Sequence, residues 1–359
     1  MKIIKFGGST FKNENDIVRT IEFIKDLYTN NTDIVIIISA FDKFTSTLNE
    51  IVNNIITKPT QFNYEFNKIK LFIEKFIDIN SNQLIIKRLE EIEEILFAIS
   101  ILEECSKKVL DSLISIGDLI SSEIFYLKLM EVGTYCHLIN ARDVFVTDEN
   151  YGNAGILFDM TLTSIKGNIK GNINIIAGFI GSSENGNHTT LGMENSNLSA
   201  ILCSIALNTK ECEYFTDTKG IFEIDPKISN SENIENINYE DALILSKMGL
   251  KQFTIEQITL AKEYNIELIY CNLEFSNMKT HINNLRSSFK NILIIKNNSI
   301  EILSKNIKEF LATISSFDIK EISKIEIIFT NSIIKIYLET NSNDFINKLY
   351  LKLNQNYYA

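Results

Sequence analysis

Short, wholly apolar runs alternate along this chain with longer stretches whose apolar residues recur every three to four positions. Lys2 to Phe6 predicts a buried strand closed by Gly7-Gly8, and Ile17, Ile21, Ile24 and Tyr28 predict a helix over 16–28. Asp33 to Ser39, apolar through its centre, predicts a second strand of the kind covered on both faces. Strand, helix and strand in so short a length imply a parallel βαβ unit. The asparagine-rich residues 53–82 read as helical pieces with exposed turns. From Leu84 to Leu110 a helical period is kept by Ile85, Leu89, Ile92, Leu96, Ile99 and Leu102, with Glu90, Glu91, Glu93 and Glu94 on a solvated face rather than at a metal site. Further strands are predicted at Tyr135–Asn140, Ile173–Ala177, Cys212–Thr216 and Glu267–Cys271. Further helices are predicted at Ser112–Leu129, Ser196–Leu207, Tyr239–Met248 and Thr254–Tyr264, the last opened by a capping box of Thr254 and Gln257. The alternation predicts a three-layer α/β/α sandwich with a mostly parallel sheet and a site at the C-terminal ends of its strands. Residues 272–298 are polar and read as a linker between a domain at 1–285 and a small α+β module at 299–359, whose order is strand, helix, two strands, helix.

Composition narrows the partners. A chain of 359 residues, 45% apolar, has material for one large core and an appendage. Its net charge of −11 opposes a surface that tracks nucleic-acid phosphates. Apolar runs are too short to span a bilayer and no leader-like start is present, so a soluble cytoplasmic protein is expected. Cys105, Cys136, Cys203, Cys212 and Cys271 have neither disulfide-framework nor metal-ligand spacing, and only His137, His188 and His281 could join them, so no protein-held metal is expected.

The chemistry concentrates in ordered pieces. Lys5-Phe6-Gly7-Gly8-Ser9-Thr10 places a lysine and two glycines at the end of a strand, the parts that bring backbone amides and a cation to phosphate oxygens, although Gly-Gly alone is more often a tight turn. Then follow Ser39-Ala40-Phe41-Asp42-Lys43-Phe44-Thr45, Ser115-Ile116-Gly117-Asp118-Leu119-Ile120-Ser121, and Asn140-Ala141-Arg142-Asp143 with Gly152-Asn153-Ala154. Next come Gly178-Phe179-Ile180-Gly181-Ser182, Thr189-Thr190-Leu191-Gly192 and the stretch from Phe215-Thr216-Asp217 to Asp225-Pro226-Lys227, with Met248-Gly249-Leu250-Lys251 last. In this order the set resembles the aspartate kinases of the amino-acid kinase superfamily, over residues 1 to about 283.

The resemblance implies ATP-dependent phosphorylation of the side-chain carboxylate of L-aspartate, the first step toward lysine, threonine and methionine, with ATP and Mg2+ as cofactors and a homodimer as the assembly. It implies nucleotide binding by Lys5, Gly7, Gly8, Ser9, Thr216, Asp217, Phe222, Lys227 and Lys251. Catalytic roles fall to Lys5, Lys251 and Asn197, and aspartate binding to Ser39, Thr45, Asp118, Phe179, Asn187 and Ser196. Asp118 stands where the family has a Glu that holds the substrate's amino group. Three departures bear on activity. Asn187 stands for an arginine that pairs with a substrate carboxylate, removing a bidentate charge-assisted bond. Asn197 stands for an aspartate that orients the phosphate-handling lysine, and Met193-Glu194-Asn195 for Arg-Gly-Gly. Two readings therefore stand, a working but slow aspartate kinase, or a non-catalytic relative that binds nucleotide or amino acid or assists a partner; a kinase forming another acyl phosphate is a third. The tail at 299–359 occupies the place of the family's tandem ACT modules, has room for one, and shows no recognisable effector loop.

Overall fold

A computed structural model describes residues 1–28, 32–192, 195–231, 233–275, 277–297, 299–314, 322–328, 333–338 and 343–354. Met193 and Glu194 lie outside them. The chain divides into two compact units, Met1–Asp217 and Thr218–Ala359.

The first unit is built on β1 (Lys2–Phe6), β2 (Ile34–Ile38), β3 (Cys136–Ile139), β5 (Ile173–Ala177) and β8 (Glu211–Phe215), in the spatial order β3-β5-β2-β1-β8 with each of these pairs parallel. β1 lies between β2 and β8, and β2 is buried at every position, as its unbroken apolar run requires. Helices α1 (Glu14–Tyr28), α2 (Phe44–Thr57), α3 (Phe62–Ile73), α4 (Gln83–Leu102), α5 (Lys107–Glu131), α6 (Phe158–Asn168) and α7 (Ser196–Ala206) accompany the sheet. A small second sheet orders β4 (Val146–Thr147), β6 (Ile180–Ser183) and β7 (His188–Thr190).

The periodic stretch 84–110 is two helices rather than one. α4 stops where Glu103 takes a left-handed φ of 53°, and α5 restarts behind Ser106, whose hydroxyl accepts from the Val109 amide at 3.3 Å. α5 then runs 25 residues, starting five residues before the predicted Ser112.

In the second unit, β9 (Asn236–Asn238), α8 (Tyr239–Met248), α9 (Ile255–Glu263), β10 (Glu267–Cys271) and β11 (Lys279–Asn283) follow one another, and α9 opens with the capping box of Thr254 and Gln257. The strands order β10-β11-β9. Four antiparallel strands then form a separate sheet, β12 (Asn291–Lys296), β13 (Ser299–Ser304), β15 (Ile333–Leu338) and β14 (Ile322–Ile328), with helices α10 (Ile307–Ile314) and α11 (Asn343–Asn354). Residues 272–298 are therefore not a plain linker. β11 buries Thr280 and Ile282 by strict alternation and β12 carries an apolar run, both obscured in the sequence by flanking asparagines.

Candidate active site

Lys5 is the penultimate residue of β1, paired in register with Ile37 and Tyr214, and its side chain is buried. The chain then turns through Gly7 and Gly8. The Gly7 amide donates to the Phe215 carbonyl at 2.9 Å, which ties the turn to the end of β8. A Cβ on Gly8 would lie 2.1 Å from the Ala40 carbonyl oxygen, so only glycine lets the loops after β1 and β2 meet. The Ser9 hydroxyl donates to Asp217 at 3.1 Å. Gly7, Gly8, Ser9, Thr216 and Asp217 are thus gathered at adjacent strand ends, with the Lys5 ammonium beneath them, 3.6 Å from where a Gly7 Cβ would stand.

A stripe on α5 supports the second loop. Ser115, Asp118 and Ser121 recur every third residue, on one side of the helix. Ser115 accepts from Arg142 Nη2 at 2.6 Å, Asp118 from the Ala40 amide at 2.9 Å and Ser121 from the Phe41 amide at 3.0 Å. Asp118 is 1% exposed, and among the described residues its second oxygen has no hydrogen-bond partner; neither has the buried Ser39 hydroxyl. Burial pushes the Asp118 carboxyl up to about 8, against the pull of the Ala40 amide and Lys5. Burial likewise lowers the Lys5 ammonium to about 8, against Asp118, which holds it up.

A cleft of about 610 Å³ opens over these groups. Ser39, Thr45, Asp118, Phe179 and Ser196 line it, five residues brought together from four separate motifs, and Lys43 lines it too. The first residues of α2 and α7 border it, so two helix N-termini favour negative charge in it. Two of its residues hold left-handed backbones without being glycine, Lys43 at φ 39° and Phe179 at φ 70°. Such positions cost about 1–3 kcal/mol each and concentrate at working sites. Phe179 is fixed by its amide, which donates to Ser199 at 3.2 Å. Gly178 before it packs so closely that a Cβ would meet Ile37 Cγ2 at 2.9 Å and Ser196 Cβ at 3.1 Å.

Asn187 is not brought to the cleft lining. Its side-chain amide donates to Glu149 Oε1 at 2.7 Å, an oxygen that also accepts from Ser183 at 2.8 Å and Asn185 at 3.1 Å. These three donors, Asn187 foremost, hold the Glu149 carboxyl down at about 2. Asn197 follows Ser196 into α7, and its carbonyl accepts from the Tyr214 hydroxyl at 3.3 Å.

The remaining predicted residues lie in the second unit. Phe222 is half-buried and bridges Asn233, the Lys227 amide donates to Asp225 at 2.9 Å, and Lys251 is exposed just past the left-handed Gly249 that ends α8. Between Phe222 and Lys227 the chain is anchored by Glu223, whose carboxylate accepts from Tyr350 and Asn354 of α11, each at 3.1 Å.

Sequence motifs did not single out Lys43, the Ala40 amide or Ser121 for roles. The three-residue spacing of Ser115, Asp118 and Ser121 was the available signal for the last.

The sequence profile described as the Amino acid kinase family matches residues 1–272. A bifunctional aspartokinase/homoserine dehydrogenase of Buchnera aphidicola subsp. Acyrthosiphon pisum is 29% identical over 280 residues, which are 73% of this chain and 34% of that protein. An aspartokinase of Geobacillus stearothermophilus is 32% identical over 166 residues, 45% of this chain and 40% of that one. The chain therefore spans about a third to two fifths of the length of these relatives. In fold it resembles Escherichia coli aspartokinase III in complex with aspartate and ADP, with a TM-score of 0.73 at 18% identity over 99% of this chain and 83% of that one. From the glycine turn after β1 to α9, this chain belongs to the amino acid kinase family.

Proposed function

We propose that the protein phosphorylates the side-chain carboxylate of L-aspartate with ATP. The observation that carries this reading is the cleft: one buried carboxylate oxygen and one buried hydroxyl without partners, at Asp118 and Ser39, face a space bordered by two helix N-termini. An α-amino acid supplies the missing complement, an ammonium for Asp118 and carboxylates for the positive helix ends. The similarity to aspartokinases supports aspartate as that amino acid.

The reaction needs little covalent help from the protein. An oxygen of the aspartate side chain, already anionic, forms a bond to the γ-phosphorus as the bond to the ADP oxygen breaks, and no proton has to be removed. Mg2+ bound with the nucleotide neutralises phosphate charge. Asp118 holds the substrate by its ammonium, Ser39, Thr45, Phe179 and Ser196 shape the cleft, and the Gly7-Gly8 amides receive phosphate oxygens. Lys5 supplies positive charge where it develops in the transition state. Asn197, Ser9, Thr216 and Asp217 complete the site in the first unit, and nucleotide contacts are assigned by the same reading to Phe222, Lys227 and Lys251 of the second. The catalytic domain of this reading is 1–285 with an ACT-like module at 299–359, working as a homodimer in the cytoplasm.

A coupled assay of ADP release with aspartate, Mg2+ and ATP tests the reading. Lys5→Ala lowers kcat by about a hundredfold or more, the range for losing one preorganised transition-state contact. Equal aspartate-dependent rates in wild type and Lys5→Ala would refute it, and nucleotide binding without turnover would favour a non-catalytic relative.

A further inference from the structure

We propose that Lys43 is the residue that recognises the α-carboxylate of the amino-acid substrate, and so sets specificity for a substrate carrying carboxylates at both ends. The assignment rests on the aspartate-kinase reading and adds to it a role that no motif supplied.

The need for such a cation is visible in this chain. Residues 187–197 contain neither Lys nor Arg, and the Asn187 amide is already committed to Glu149 at 2.7 Å. Lys43 is the one cation among the described residues that line the cleft. It has no ion pair or side-chain hydrogen bond among the described residues, unlike Lys2, Lys68 and Lys128 in the same unit. Its backbone is held at φ 39° immediately before α2, a conformation that disfavours a β-carbon. A lysine kept at a position better suited to glycine, lining the cleft and without a partner among the described residues, is accounted for by a ligand its ammonium can reach there.

The site is built on both sides. Lys43 adds its charge to the N-terminus of α2, while Asp118, 1% exposed with one oxygen unpartnered, faces the same cleft. A cation and a buried anion lining one cleft match the carboxylate and ammonium of an α-amino acid, and the side-chain carboxylate is left for the phosphoryl group. The reverse orientation would set the substrate's anion against Asp118.

The test compares L-aspartate with β-alanine, which is aspartate without its α-carboxylate, in steady-state assays of wild type, Lys43→Met, Lys43→Gly and Lys43→Arg. Lys43→Met and Lys43→Gly raise the KM for aspartate by about thirtyfold, as expected for loss of one charge-assisted contact, with kcat and the KM for ATP within about threefold of wild type. Lys43→Arg retains most of the affinity. Wild type prefers aspartate to β-alanine in kcat/KM, and Lys43→Met loses about thirtyfold of that preference because the substitution has nothing to remove with β-alanine. Lys43→Gly fits the left-handed backbone and keeps the comparison valid if the other variants fold poorly. An active wild type whose KM for aspartate and preference over β-alanine survive Lys43→Met would overturn the assignment alone. A wild type that neither phosphorylates nor binds aspartate in calorimetry would overturn the underlying reading, and the assignment with it.

Discussion

Two buried aspartates stand two helical turns apart on α5 and live in opposite circumstances. Asp111, 2% exposed, accepts from the Gly152 amide at 2.9 Å, the Thr190 amide at 3.0 Å and the Thr190 hydroxyl at 2.9 Å. Among the described residues Asp118 accepts from the Ala40 amide alone, leaving its second oxygen unpartnered, and burial pushes it up to about 8. A carboxylate surrounded by donors holds structure together, as Asp111 does by tying α5 to the 148–155 loop and to β7. A carboxylate left short of donors in a closed site is prepared for something that arrives from outside.

Sharpening this contrast begins with Asp118→Asn. On the proposed reading this removes the charge that receives the substrate ammonium, and kcat/KM for aspartate falls by about two to three orders of magnitude without lowering the melting temperature. Activity within tenfold of wild type, or a loss of stability to match the Asp111 variant, would collapse the distinction. Asp111→Ala has the complementary phenotype. It strands two amides and a hydroxyl, costing about 3 kcal/mol in urea unfolding, while the folded fraction turns over near the wild-type rate. The smallest effect is in the pH profile. If Asp118 receives the substrate ammonium as proposed, it must be ionised to do so, and burial holds its carboxyl at about 8, so kcat/KM rises about tenfold per pH unit on the acid side of about pH 8. Lys5, held near 8, must keep its proton, which sets the fall on the alkaline side. Asp118→Asn flattens the acid limb and moves the alkaline one to lower pH, because the carboxylate that holds the Lys5 ammonium up is gone.

The order of elements was legible in the sequence wherever one period dominated: the apolar run of β2, the 3.6-residue repeat of α4, the Thr254–Gln257 cap. It was illegible where a single residue broke a continuous pattern, as Glu103 and Ser106 do between α4 and α5, or where polar letters hid a strand, as in β11. Within the site, Ser39, Thr45, Asp118, Phe179 and Ser196 could be named from motifs because each follows a strand end or lies on a helix beside one. Their convergence on one cleft is a property of the parallel sheet, which delivers those ends to the same edge. Lys43 escaped notice because its signal is a backbone angle. The fate of Asn187 escaped because Glu149, the residue that claims it, lies 38 positions away.

The left-handed backbones at Lys43 and Phe179 have a consequence for anyone who breeds this protein for robustness. Glycine suits both angles better than the residues present, but Phe179 also keeps a half-buried ring whose packing opposes its loss, so a selection that rewards heat tolerance alone will favour Lys43→Gly first. That change would be scored as progress while it strips a charge from the cleft. Survivors of such a programme would be sturdier proteins with a less charged cleft, and only a screen that also demands turnover would keep this unfavourable angle in place.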